Sequence, residues 1–193
     1  MSVLLGAEPS PGHLAGIAES LRRVTVEVHT ATGGGAGVVW GRDLVVTNAH
    51  VARRGPVRLS LADDRGMDGR VMAVDAAADL ALIRVAGGGI APAATAHGET
   101  VRVGAIVVAL GHPFGLRRTL TAGIVHAVAP LRPGGRRWIH ADVRLAPGNS
   151  GGPLADTAGR VVGINTMIVA GLALAIPVDE VRRFVAATLS GSA

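Results

Sequence analysis

Glycine and proline interrupt this chain so regularly that its apolar residues are left in short runs. The 28 glycines and 10 prolines fall in small clusters, such as Gly33-Gly34-Gly35 and Gly111-His112-Pro113-Phe114-Gly115. Glycine opens the positive-φ conformations that tight turns need, and proline breaks regular pairing. Such punctuation predicts many short strands and an all-β barrel or sandwich.

Strand patterns are expected over residues 24–30, 36–40, 43–47, 57–61, 69–74, 80–85 and 105–110. In the second half they are expected over 119–128, 138–143, 160–165 and 172–176. Leu14, Ile17, Ala18 and Leu21 recur at helical spacing and predict a short N-terminal helix. A C-terminal helix should begin at Pro177, with Asp179 and Glu180 complementing its dipole. Its apolar stripe would be Val178, Val181, Phe184, Val185 and Leu189. The expected organisation is a leader over 1–12, an N-terminal β-barrel over 13–112, and a C-terminal β-barrel with the terminal helix over 113–193. Each barrel takes about six antiparallel strands.

Composition narrows the function. Hydrophobic residues make up 49% and charged residues 17%, so the chain folds and has enough length for a buried core. Without cysteine there is no disulfide, thiolate–zinc site or thiol nucleophile. The net charge of +5 comes entirely from arginines scattered singly and in pairs, with no Tyr, two Trp and two Phe. That gives neither a basic run nor a stacking platform, so no nucleic-acid partner is expected. No His-Glu-x-x-His or close His pair occurs, and neither metal nor cofactor is expected. The apolar stretch 161–178 carries Asn165, Thr166, Ala170-Gly171 and Pro177, and reads as two strands and a turn rather than a membrane span. No signal peptide is evident in residues 1–12, so a cytoplasmic location is the fallback expectation.

Residues 147–154 read Pro-Gly-Asn-Ser-Gly-Gly-Pro-Leu. A serine in a glycine turn stands exposed while backbone N–H groups converge beside it. Gly148 and Ser150 N–H would cradle the oxyanion of a tetrahedral intermediate. Glycine-serine clusters are also ordinary turn material, so the motif needs partners. Serine requires a base, and His50 follows the apolar run Leu44-Val45-Val46, which places an imidazole at a strand end. The base requires a carboxylate, and Asp79, directly before Leu80-Ala81-Leu82-Ile83, is favoured over Asp75.

These segments give the chain its resemblance. The runs Thr47-Asn48-Ala49-His50-Val51, Asp79-Leu80-Ala81-Leu82-Ile83, Gly148-Asn149-Ser150-Gly151-Gly152-Pro153-Leu154, Val162-Gly163-Ile164-Asn165-Thr166 and Ala175-Ile176-Pro177 carry it, with Gly111-His112-Pro113-Phe114-Gly115-Leu116 between. In order and spacing the chain resembles the protease domain of the HtrA (Deg) family of chymotrypsin-fold serine proteases. The resemblance implies a triad of His50, Asp79 and Ser150, an oxyanion hole at Gly148 and Ser150, and unfolded or damaged polypeptides as substrates. It implies no cofactor. The family's usual PDZ domain is not expected here, and the absence of aromatic residues from the leader leaves monomer and trimer both open.

Arg144 falls near the floor of the specificity pocket, where an inward guanidinium would favour acidic P1 residues. The preferred reading sends Arg144 outward and forms an apolar pocket from Leu145, Ile164 and Leu174. Substrate would pair beside Asn165 and Thr166. Asn149 stands where trypsin-like zymogens carry the Asp that receives a new N-terminus, so activation by clipping is not expected. A catalytically silent binder of misfolded chains and an esterase using the same triad are the competing readings.

Overall fold

The strands that read as unbroken apolar runs are the ones covered on both faces. In the computed structural model, which describes residues 11–87, 89–97, 101–111 and 119–191, β1 (Thr25–Thr30), β2 (Gly33–Gly41), β3 (Leu44–Thr47), β4 (Pro56–Ser60), β5 (Gly66–Asp75) and β6 (Leu80–Val85) close a first antiparallel barrel in the order β1-β2-β3-β6-β5-β4. Val26, Val28, Val39, Val45, Leu59 and Ile83 fill its interior. The opposite faces of β2, β3 and β6 present Val38, Leu44, Val46, Leu80 and Leu82 to a second core between the barrels. β4 lies on the outside and alternates exposed and buried residues, as a strand covered on one face should.

The second barrel runs β10-β11-β12-β9-β8-β7, from β7 (Ile106–Gly111), β8 (Thr119–Pro130), β9 (Arg137–Ala141), β10 (Pro153–Asp156), β11 (Val161–Val169) and β12 (Leu172–Pro177). Its interior holds Val107, Ala109, Val125, Ile139, Leu154 and Val162. Val108, Leu110, Ala155, Val161, Ile164 and Ile176 face the core between the barrels. The two six-stranded antiparallel barrels with a helix at each end are the fold expected from the sequence.

Three details differ. β7 pairs with β8 and β10, so the passage between barrels lies at residues 86–105 and not at 112–113. β10 had no strand signal of its own, being four residues opened by a proline. On the C-terminal helix α2 (Val178–Ser190), Pro177 is the N-cap and Leu189 is exposed, so the buried stripe is Val178, Val181 and Val185. Residues 1–10, and 112–116 of the Gly-Pro cluster, lie outside the described residues.

The helices tie the halves together. α1 (Pro11–Val24) precedes the first barrel yet touches β7, and α2 follows the second yet touches β6. Ile17 and Leu21 of α1 and Val181 and Val185 of α2 all enter the core between the barrels. The connecting segment is stitched to both sides: Ala93 N–H donates to Val39 O at 2.8 Å, and Ala96 N–H donates to Val161 O at 2.9 Å. Arg182 of α2 donates to Thr95 Oγ1 and Ala96 O, both at 2.6 Å. Among the described residues, no helix is long and apolar enough to cross a membrane.

Candidate active site

The seam between the barrels brings His50, Asp79 and Ser150 into one hydrogen-bonded chain. His50 sits in the turn after β3, and its Nδ1 lies 2.9 and 3.0 Å from the two carboxylate oxygens of Asp79. An ionised carboxylate only accepts, so Nδ1 carries a proton, and in the neutral ring this leaves the lone pair on Nε2, as a general base requires. His50 N–H also donates to Asp79 Oδ1 at 3.0 Å. From the other barrel, Thr166 Oγ1 donates to Asp79 Oδ2 at 2.5 Å. Ser150 Oγ donates to the Thr166 carbonyl oxygen at 2.9 Å.

Asp79 occupies a left-handed conformation, with φ at 54°, in the turn joining β5 to β6. That region is unfavourable for L residues, though Asp tolerates it better than most. Asn48 Nδ2 donates to the Asp79 carbonyl at 3.0 Å and fixes the backbone from beneath. Burial pushes the Asp79 pKa up, but hydrogen bonds from the His50 ring, the Thr166 hydroxyl and the His50 N–H outweigh it, so the net shift is downward. A depressed carboxylate stabilises the fold above its ordinary value of 3.8 and loses that contribution as pH falls through its folded value. Asp79→Asn should therefore flatten the acid limb of a melting-temperature profile below about pH 4. An unchanged acid limb would contradict the lowered value.

The turn that carries Ser150 is anchored by backbone from both barrels. Ala36 N–H in β2 donates to Ser150 O at 2.8 Å, Gly151 N–H donates to Asn165 O at 2.9 Å, and Asn165 N–H donates to Gly152 O at 2.9 Å. Neither Gly148 N–H nor Ser150 N–H donates to another group among the described residues, as an oxyanion hole requires. Gly148 has φ at 105° and Gly151 at 86°. A Cβ on Gly151 would lie 2.1 Å from Ala36 O and 2.3 Å from Thr47 Oγ1, atoms that already bond each other at 2.7 Å. Gly151→Ala should cost at least about 2 kcal/mol, from the positive φ and the backbone clash together. That corresponds to a drop of roughly 4–8 °C in melting temperature, measurable by circular dichroism.

The expected specificity residues are not gathered as the sequence suggested. Ile164 belongs to the core between the barrels, Leu145 packs on the second barrel's interior, and Leu174 is fully buried. Ile164 and Leu174 are fully buried, so among the described residues they offer no open apolar wall. Asn165 is buried with Nδ2 on Pro153 O at 2.8 Å, and both its backbone groups hold the nucleophile turn. It therefore supports Ser150 rather than offering a bonding edge. Arg144 is exposed, with Thr121 Oγ1 on its carbonyl at 3.0 Å.

The contact of Thr166 with Asp79 is what the sequence reading missed. Its only signal was a polar pair, Asn165-Thr166, ending an apolar strand. A second histidine–carboxylate pair, His126 and Asp142 at 3.5 Å, is about half exposed and has no serine bonded to it among the described residues. Nor does any cluster of three His, Asp or Glu suited to a metal occur among them.

Residues 35–164 match the family model for the trypsin-like peptidase domain. Serine protease HTRA1 of Xenopus laevis is 38% identical over 169 residues, covering 83% of this chain and 37% of the relative. Serine protease HTRA1B of Danio rerio is 37% identical, covering 87% of this chain and 37% of the relative. Serine protease HTRA2, mitochondrial, of Drosophila pseudoobscura pseudoobscura is 36% identical, covering 80% and 39%. The chain thus spans less than two fifths of these relatives' length. Closed paired barrels, a linked Ser–Thr–Asp–His chain and the family match agree: the chain belongs to the trypsin-like peptidase family, and over the part it shares with them it is similar to serine proteases named HTRA1 and HTRA2.

Proposed function

We propose that this domain is a serine endopeptidase acting on extended, unfolded polypeptide, with Ser150 as nucleophile, His50 as base and Asp79 as the group that orients it. The observation that carries this reading is the chain from Ser150 through Thr166 to Asp79 and His50, beside two N–H groups that donate to nothing among the described residues. Ser150 Oγ attacks the scissile carbonyl carbon and passes its proton to His50 Nε2. The oxyanion is held by Gly148 and Ser150 N–H. His50 then protonates the leaving amine, and water repeats the cycle on the acyl-enzyme.

The edge of β11 supports an extended substrate. β10 pairs with β11 no further than Ile164, while β12 pairs with Met167, Ile168 and Val169. From Thr166 to Val169 one edge of β11 therefore has no partner strand among the described residues. Met167, Ile168 and Val169 are 39%, 54% and 38% exposed, which suits the apolar segments that unfolding reveals. In the free protein the Thr166 carbonyl at the head of this edge holds the Ser150 hydroxyl. A substrate N–H pairing with that carbonyl displaces the hydroxyl towards His50, so strand addition and nucleophile release are one event.

A serine-directed fluorophosphonate with cleavage of reduced, unfolded casein tests the proposal. Labelling at Ser150 together with casein cleavage is expected. Labelling without casein cleavage, but with turnover of small esters, would support an esterase, and no labelling of folded protein would support a silent binder. Because Arg144 is exposed, Arg144→Ala should leave the P1 profile of a peptide library unchanged. A lost preference for acidic P1 would show that the guanidinium reads the substrate.

A further inference from the structure

Asp75, the carboxylate passed over for the triad, ends β5 four residues before Asp79 and pairs with Leu80 across the hairpin. Its Oδ1 accepts Ala78 N–H at 2.7 Å, which closes the turn that delivers Asp79. Its Oδ2 faces the other barrel, where Arg136 Nη2 lies 3.4 Å away, and Arg136 Nη1 lies 3.4 Å from Glu180 of α2. Asp79 enters this turn with a positive φ, a conformation that its neighbours must hold. Asn48 grips the Asp79 carbonyl, and Asp75 grips the N–H of the residue immediately before it.

We infer that Asp75 is a positioning residue for the triad acid: its Oδ1 cap on Ala78 N–H holds the turn that aims the Asp79 carboxylate at His50. Arg136, reaching across the seam, braces the same carboxylate. Exposed ion pairs contribute little, and both partners here are about one third exposed, so the cap is the larger part. The catalytic sensitivity comes from geometry, since displacement of a reacting group by about 1 Å costs roughly 10²-fold.

Two near-isosteric changes separate the cap from the ion pair. Asp75→Asn keeps an oxygen for Ala78 N–H and loses the charge facing Arg136. Asp75→Glu keeps the charge but moves the carboxylate one methylene away from the cap geometry. The inference rests on the peptidase reading above. Activity of the unaltered full chain is therefore measured first, on a quenched fluorogenic peptide taken from its casein cleavage sites, and inactivity there would fail that reading and not this one. With active enzyme, Asp75→Asn should stay within about threefold of the parent kcat, while Asp75→Glu falls about 10–100-fold with KM changed by less than about threefold. Arg136→Ala should lose no more than about threefold. Each variant's melting temperature is recorded to show that it is folded. Overturning results would be Glu equal to or better than Asn, a loss confined to KM, or loss of melting temperature with kcat unchanged in both.

Discussion

Ser150→Ala should lower kcat on a polypeptide substrate by about 10⁶-fold, and His50→Ala should do nearly the same. The two act as a unit, so the double variant is little worse than either. The residual rate then reflects binding and the two oxyanion N–H groups. The structure also predicts that Ser150→Ala keeps its fold. Among the described residues the side chain makes one hydrogen bond, to the Thr166 carbonyl, whereas the turn itself is held by Ala36, Asn165 and Gly152 backbone groups. Single-turnover kinetics at high enzyme concentration, with melting temperature as control, measure both halves of the statement. Peptidase activity that survives in Ser150→Ala would remove this serine from the mechanism, and a large fall in melting temperature would contradict the backbone account of the turn.

The parts of this protein that the sequence discloses are those fixed by local chemistry. Leu44-Val45-Val46 and Leu80-Ala81-Leu82-Ile83 read as unbroken apolar runs because one face fills a barrel and the other fills the seam. The positions just outside those runs, His50 and Asp79, are then forced to the seam. β10 left no trace because four residues opening with proline carry too short a pattern. The sequence pattern of β7 does not say which barrel it joins, because an apolar strand does not disclose its partners; only the pairing with β8 and β10 does.

The site divides in the same way. The glycine turn and the order of histidine, aspartate and serine are local and were legible. The specificity residues were not, because the burial of Ile164, Asn165 and Leu174 depends on tertiary packing that strand alternation does not reveal. Thr166 shows the limit clearly. It bonds to a residue 87 positions away in the other barrel, a relation that no sequence spacing encodes.

That long-range bond sets the second large effect, which falls on Asp79→Asn. As a carboxylate, Asp79 accepts from His50 Nδ1, His50 N–H and Thr166 Oγ1 at once. An asparagine has one accepting oxygen and one donating nitrogen, so it cannot meet three donors. An amide nitrogen at the Oδ1 position would face the His50 N–H, which cannot turn away, so the nitrogen takes the Oδ2 position and faces both the Thr166 hydroxyl and the imidazole Nδ1. Thr166 can rotate its proton away, and the ring can answer only by changing tautomer. The proton then moves to Nε2, the atom that must receive the Ser150 proton, and kcat falls by about 10⁴-fold with KM little changed. Asp75→Asn, four residues earlier, meets a single backbone donor and should keep nearly all activity. The ratio of the two asparagine variants, measured side by side on one peptide, should exceed about 10³. A ratio near one would mean that Asp79 does not orient His50, and the triad would have to be drawn again around a different carboxylate.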